Sequence, residues 1–131
     1  MSDEFDLGVR TFIAEHIQSV AQLELILLLH AHPMQPWSAA DAARKFGLSP
    51  EMTLSLLRGL CQEGFAIATN DDEPQFRFAP KSTEFQNSVD QLAILYQQRR
   101  VSLVQLIYAR PVDKLQRFAD AFRFRKGKED N

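Results

Sequence analysis

The side chains with the chemical reach to ligate, attack or titrate are few in this sequence. His30 and His32 stand two residues apart and Cys61 is the single thiol. Imidazole and thiolate are metal ligands, so the three raise the question of a metal-sensing site. Both histidines, however, close an apolar stretch that reads as a buried helix, and Cys61 stands alone. A capping or hydrogen-bonded histidine and an inert buried thiol account for them, and no metal is expected. Nor does Cys61 read as a reactive thiol, because Glu63 lies two positions on and no cation is adjacent in sequence to draw out the thiolate. No glycine-rich phosphate loop, paired-cysteine zinc pattern or Gly-x-Ser-x-Gly elbow occurs, so neither catalysis nor a cofactor is expected.

What remains is charge, and it is unevenly placed. The formal net charge is −2. Residues 1–90 carry 6 basic against 13 acidic side chains, a net of −7, and residues 91–131 carry 9 against 4, a net of +5. The acidic half includes the run Asp71-Asp72-Glu73, and the basic half ends in Arg123, Arg125, Lys126 and Lys128. A basic tail can steer a protein toward nucleic acid, because each neutralised phosphate releases counterions. It can equally lie on the acidic half of its own chain or of a partner.

The elements that must position these groups follow from the pattern. A chain of 131 residues with 45% hydrophobic content, five glycines and six prolines suits one globular domain with appendages. A lone cysteine cannot form an internal disulfide, and the acidic start is unlike a secretory signal. The longest apolar run, residues 25–29, is far below the roughly 18 residues of a membrane span. A cytoplasmic protein without membrane contact is expected.

Val9, Phe12, Ile13 and Ile17 space one face of a helix over residues 8–18. Ser19 then offers an N-cap with Gln22 three residues on, the capping-box pattern, ahead of a helix apolar on nearly every side until Pro33 and Pro36 stop it. Ser38 caps a short alanine-rich helix that Gly47 ends. Ser49 and Pro50 restart a helix at once, with Thr53, Leu56, Leu57 and Leu60 as its buried stripe and Gly64 as its stop. Residues 65–69 and 75–78 alternate with period two around the turn 70–74, which reads as a hairpin with one apolar face.

Residues 37–65, with the alanine-rich helix, the Gly47 turn, the Ser49-capped helix and the closing Leu60-x-x-x-Gly64-Phe65, resemble the winged helix-turn-helix of the MarR and ArsR families of bacterial regulators. The resemblance spans about residues 19–80. It implies a mainly α fold with a small β-hairpin wing, the second helix of the pair lying in a DNA major groove and the wing touching the phosphate backbone. Carried onto this sequence, the outward face of that helix offers Arg58 and Gln62 for bidentate base contacts and Ser55 for a base or phosphate. At the base of the wing stand Arg77 and Lys81. Against this, the wing tip is acidic and a carboxylate near a phosphate is repelled. Met52 and Leu54 on the same helix would suit a protein groove at least as well.

Beyond Lys81, Ser82 caps a further helix whose seam is Phe85, Val89, Leu92, Tyr96, Leu103, Leu106 and Ile107. Unbroken to Pro111, it would run about 28 residues, or roughly 42 Å. A core this small cannot cover so long a rod, so a second chain is the expected cover, with Val89, Leu92, Tyr96, Leu103, Leu106 and Ile107 as the homodimer interface. The alternative is a monomer in which it folds back on the helix of residues 8–18. A last amphipathic helix carries Leu115, Phe118, Ala119 and Phe122 into the basic tail. The expected organisation is an N-terminal arm (1–18), a winged helix-turn-helix domain (19–81), a long dimerisation helix (82–110) and a short helix with basic tail (111–131). A dimeric regulator that binds double-stranded DNA is the first functional expectation. A winged-helix module that binds a protein instead is the second.

Overall fold

In the computed structural model, which describes residues 5–109, six helices surround a three-stranded antiparallel sheet. Each helix begins where local chemistry dictates. Asp6 accepts a hydrogen bond from the Val9 amide at 2.9 Å and starts α1 (Leu7–His16). Ser19 accepts from the Gln22 amide at 3.1 Å and starts α2 (Val20–Ala31). Gln22 reaches back one residue further than a capping box requires. Its Oε1 accepts from the Gln18 amide at 2.6 Å and its Nε2 donates to the His16 carbonyl at 3.1 Å, tying the end of α1 to the start of α2 across a 106° bend.

The short strand β1 (Trp37–Ser38) precedes α3 (Ala39–Phe46). After α4 (Pro50–Glu63) come β2 (Ala66–Ala68) and β3 (Gln75–Phe78). The last two form the expected hairpin, with Ala66 opposite Phe78 and Ala68 opposite Phe76. The strand order is β1-β3-β2, so the wing gains a third strand by pairing Trp37 with Phe76. Alternation then sends Phe76 and Phe78 into the core and leaves Gln75 and Arg77 outside.

The core is centred on α2, whose Leu23, Leu25, Ile26, Leu28 and Leu29 are all buried. From α4 it receives Leu57 and Leu60, from the wing Phe65 and Phe76, and from α1 Phe12, Ile13 and Ile17. Thr53 is also fully buried, and its hydroxyl has no hydrogen-bond partner among the described residues. A buried unsatisfied hydroxyl costs about 1–3 kcal/mol. Thr53→Val keeps the shape without that cost, and calorimetry is expected to show a melting temperature higher by a few degrees, about 1 kcal/mol. A lower melting temperature would mean that the hydroxyl is satisfied after all.

The long C-terminal rod is not continuous, which corrects the sequence expectation. Ser82 caps α5 (Thr83–Gln98), and Arg99 then leaves helical geometry at φ −137°, ψ 51° before α6 (Arg100–Ala109) resumes. The hydrogen-bond chain survives the break, through Arg99 N to the Leu95 carbonyl at 2.6 Å and Leu103 N to the Arg99 carbonyl at 2.9 Å. A straight rod would outrun the domain. Turning at Arg99 returns Leu103 and Ile107 to this chain's own core, each worth about 1.5–3 kcal/mol of burial.

Of the six residues expected at a dimer interface, four are already covered by this chain. Val89, Leu92, Leu103 and Ile107 are buried within the chain, and Tyr96 and Leu106 are packed partly against the same core. Helix α5 lies on α1, where the Phe12 and Phe85 rings meet edge-on at 5.3 Å. What these helices still expose is Ile94 (55%), Val101 (70%) and Tyr108 (65%).

Polar ties hold α5 and α6 to α2. Tyr96 donates to Glu24 Oε2 at 2.6 Å, and Arg100 stands 5.1 Å from the Tyr96 ring centroid. His30 Nε2 and Asp90 Oδ1 are 2.7 Å apart, so this histidine already has a partner, and Gln86 donates to the same oxygen at 2.9 Å. The His30 hydrogen bond, helped by Gln86, holds the Asp90 carboxyl below the usual carboxylate range. A depressed carboxyl stabilises the fold above its unfolded value near 3.9 and loses that contribution as pH falls through its folded value. Asp90→Asn should therefore cost about 0.5–1 kcal/mol at neutral pH, a small figure because the site is half exposed. In urea titrations the gap to the parent should close below about pH 4.

Among the described residues no single helix is long and apolar enough to cross a membrane. The expected helix and basic tail of residues 111–131 lie outside the described residues.

Candidate nucleic-acid interface

Helices α3 and α4 form the tight pair that the sequence demands. Ser38 Oγ accepts from the Asp41 amide at 3.1 Å, and Arg44 pairs with Asp41 on the outer face of α3. Gly47 takes the left-handed conformation at φ 68°, ψ 33°, which a residue with a Cβ adopts only at a cost. The chain then turns through Leu48, whose amide donates to the Ala43 carbonyl at 3.0 Å. Ser49 Oγ accepts from the Met52 amide at 3.1 Å and Pro50 opens α4. The buried small side chains Ala42 and Ala43 let the two helices approach closely.

With Thr53, Leu57 and Leu60 turned inward, α4 turns Glu51, Met52, Ser55, Arg58 and Gln62 to the outside, all exposed. Leu54 is half-buried and packs against the core, so it contributes less to the outer face than its spacing suggests. Ser55, Leu56, Gly59, Gln62 and Glu63 share a shallow depression of mixed polarity with Gln18, Ser19 and Gln22. A Cβ on Gly59 would meet nothing within 4 Å, so the glycine leaves the surface open rather than making room for a neighbour. Arg58 makes no ion pair among the described residues. It acts on Cys61, whose thiol is pushed up by burial, with the guanidinium only partly opposing. That is the behaviour of an unreactive thiol.

The two wing-base cations differ. Arg77 is exposed on β3 opposite Ile67. Lys81 is held down: its amide donates to the Gly64 carbonyl at 2.8 Å, its aliphatic stem lies across Gly64, and its ammonium sits 4.6 Å from the Phe85 ring centroid. Phosphate contact by Lys81 would cost that cation–π arrangement. The basic tail residues Arg123, Arg125, Lys126 and Lys128 lie outside the described residues.

The feature that sequence reasoning missed is where the acidic wing tip goes. Asp72, Glu73 and Pro74 share one groove with Ser38, Ala39, Ala40, Pro50, Glu51 and Leu54. The carboxylates thus stand beside the N-terminal end of α4, not out on an isolated finger. The face is divided, with Ser55, Arg58 and Gln62 toward one end and Glu51, Asp72 and Glu73 at the other. No local pattern announces this, because β3 pairing fixes the tip against the start of α3 and the first turns of α4, residues that precede it by 18 positions or more.

Comparison with solved structures gives the fold a context. The chain is similar to the multidrug efflux pump regulator MepR of Staphylococcus aureus, at 13% identity, with a TM-score of 0.54 over 91% of this chain and 86% of that one. It is similar to the adhesin competence repressor AdcR of Streptococcus pyogenes, at 13% identity and TM-score 0.53, over 85% of this chain and 82% of that one. A MarR-family transcriptional regulator of Rhodococcus, at 15% identity and TM-score 0.51, matches over 88% and 80% of the two chains. At such identities the likeness establishes the winged-helix fold. No family model and no curated protein matches the sequence.

Proposed function

We propose that this chain is a DNA-binding transcription regulator that works as a dimer and reads a major groove with α4. The observation that carries the reading is the outward face of that helix, where Ser55, Arg58 and Gln62 are exposed while Leu57 and Leu60 of the stripe are buried and Leu56, expected to be buried with them, is partly covered. Arg58 offers a fork to guanine and Gln62 an amide to adenine, and Arg77 can meet the backbone from the wing. The neighbours of this fold are themselves described as transcriptional regulators or repressors. Dimerisation would use the apolar side chains that α5 and α6 leave uncovered, Ile94, Val101 and Tyr108, and would set two copies of α4 in successive grooves.

Fluorescence anisotropy against genomic fragments tests the reading. Binding should weaken with salt, with a log–log slope of about −2 or steeper if both Arg77 side chains of a dimer meet phosphates. Flat anisotropy at low ionic strength would end the proposal. Light scattering should return twice the 15.0 kDa mass of one chain.

A second reading has its own support. Met52 is half exposed, and the carboxylates Glu51, Asp72 and Glu73 at the same end of α4 would repel a phosphate backbone while suiting a basic, partly apolar protein surface. On that reading the same face binds a protein, and the anisotropy series stays flat.

A further inference from the structure

Ala39, Ala40, Pro50, Leu54 and Pro74 floor a shallow groove of about 260 Å³ between the starts of α3 and α4 and the wing tip. Glu51, Asp72 and Glu73 stand along its rim, with Asp71 next in sequence. All four carboxylates are exposed, and none takes part in an ion pair among the described residues. The groove between α1 and α5 is acidic too, but two of its three carboxylates stand by a partner: Asp6 caps α1 at 2.9 Å from the Val9 amide and Glu15 lies 3.8 Å from His16, which leaves Glu84 alone without an ion pair there among the described residues.

The complement to an apolar floor with an acidic rim is written in the same sequence. Residues 122–128 read Phe-Arg-Phe-Arg-Lys-Gly-Lys, with two aromatic rings and four cations. We propose that this segment docks in the α3–α4–wing groove of its own chain. In an extended stretch Phe122 and Phe124 point to one side and Arg123 and Arg125 to the other. Docked so, both rings would meet Leu54, Pro50 and Pro74 while the cationic side chains would pair with the carboxylate rim. Residues 110–121 would span about 18 Å as the expected helix and up to about 40 Å extended, and the proposal takes them as extended, enough to cross a domain with a radius of gyration of about 13 Å. Tethering holds the segment at an effective concentration in the millimolar range, so individually weak contacts suffice. Docked there, it cancels the negative end of the α4 face and covers Leu54. The inference stands apart from DNA binding, since a protein-binding module with the same groove would seat the same segment.

Zero-length carbodiimide coupling of the full-length protein, without nucleic acid and at about 10 mM salt, tests it. Mass spectrometry is expected to find Lys126 or Lys128 joined by an amide to Glu51, Asp72 or Glu73 within one chain. Those products should fade near 1 M salt, where screening shortens to about 3 Å. Phe122→Ser with Phe124→Ser keeps every charge and should lower the yield by about fivefold through loss of the aromatic contacts. Coupling only to Asp6, Glu15 or Glu84, coupling only between isotopically distinct copies, or a yield indifferent to the two phenylalanines would each overturn the proposal. Because no DNA is present, the outcome is independent of the anisotropy series.

Discussion

Phe65→Ala is expected to lower the folding stability by about 3–5 kcal/mol, the largest loss of any single truncation considered for this chain. Phe65 is wholly buried where three elements meet. Its ring lies 4.9 Å from that of Phe85 on α5 and 6.0 Å edge-on from that of Phe12 on α1, while His16 adds a further edge contact at 6.4 Å. The backbone at this residue is equally committed. Its amide donates to the Leu60 carbonyl at 2.9 Å, which closes α4, and its carbonyl accepts from Ala79 at 2.9 Å, which anchors β3. Gly64, at φ 102°, makes the turn that delivers the ring there. Truncation therefore removes buried area and leaves a cavity that none of α1, α4 or α5 can close without breaking a hydrogen bond or the His16–Glu63 contact at 3.0 Å. A small domain has about 5–15 kcal/mol in all, so the urea midpoint should fall by about a fifth or more. Phe65→Leu, which fills most of the space, should cost less than about 1.5 kcal/mol. If alanine cost no more than leucine, the ring would not be the joint between the winged domain and its flanking helices.

The contrast between Phe65 and Leu103 shows what was legible in the sequence. Ser38, Gly47, Ser49, Pro50 and Gly64 act on residues within four positions of themselves, so the helix pair and its boundaries could be read along the chain. Phe65 followed from the same grammar. Leu103 and Ile107 did not, because periodicity reports that a face is apolar and says nothing of what covers it. Here the cover is the chain's own core, reached by one non-helical residue at Arg99 that carries no glycine or proline to announce it. Strand β1 escaped notice for a related reason: two residues have no period, and Trp37 is a strand only because Phe76 lies beside it. The His30–Asp90 and Tyr96–Glu24 bonds join residues 60 and 72 positions apart and leave no local trace. At the candidate site, the exposed Ser55, Arg58 and Gln62 were legible from the α4 stripe. The placement of Asp72 and Glu73 beside Pro50 was not, and neither was the seating of Lys81 on Phe85.

If α4 reads DNA, Arg58→Ala should weaken binding to the preferred sequence by about 10- to 100-fold and relax the preference for guanine at one position of each half-site. The magnitude follows from what the side chain is free to do. Arg58 is exposed, makes no ion pair among the described residues and lies about two turns from Glu51, so its guanidinium is available without first breaking a contact. Arg58→Lys should recover little of the loss, because an ammonium supplies charge without the planar fork that matches guanine. Arg77→Ala should behave differently, lowering affinity for all sequences alike and reducing the salt slope by about one per protomer contact, the signature of a phosphate ligand. Lys81→Ala should change binding less than Arg77→Ala does, since the ammonium is already seated on the Phe85 ring. The pattern across the four variants decides between the two readings of the face more sharply than any one of them. Equal, small losses at Arg58 and Arg77, unaffected by sequence and removed by moderate salt, would mark non-specific attraction to a polyanion. The divided face would then be left to a protein partner.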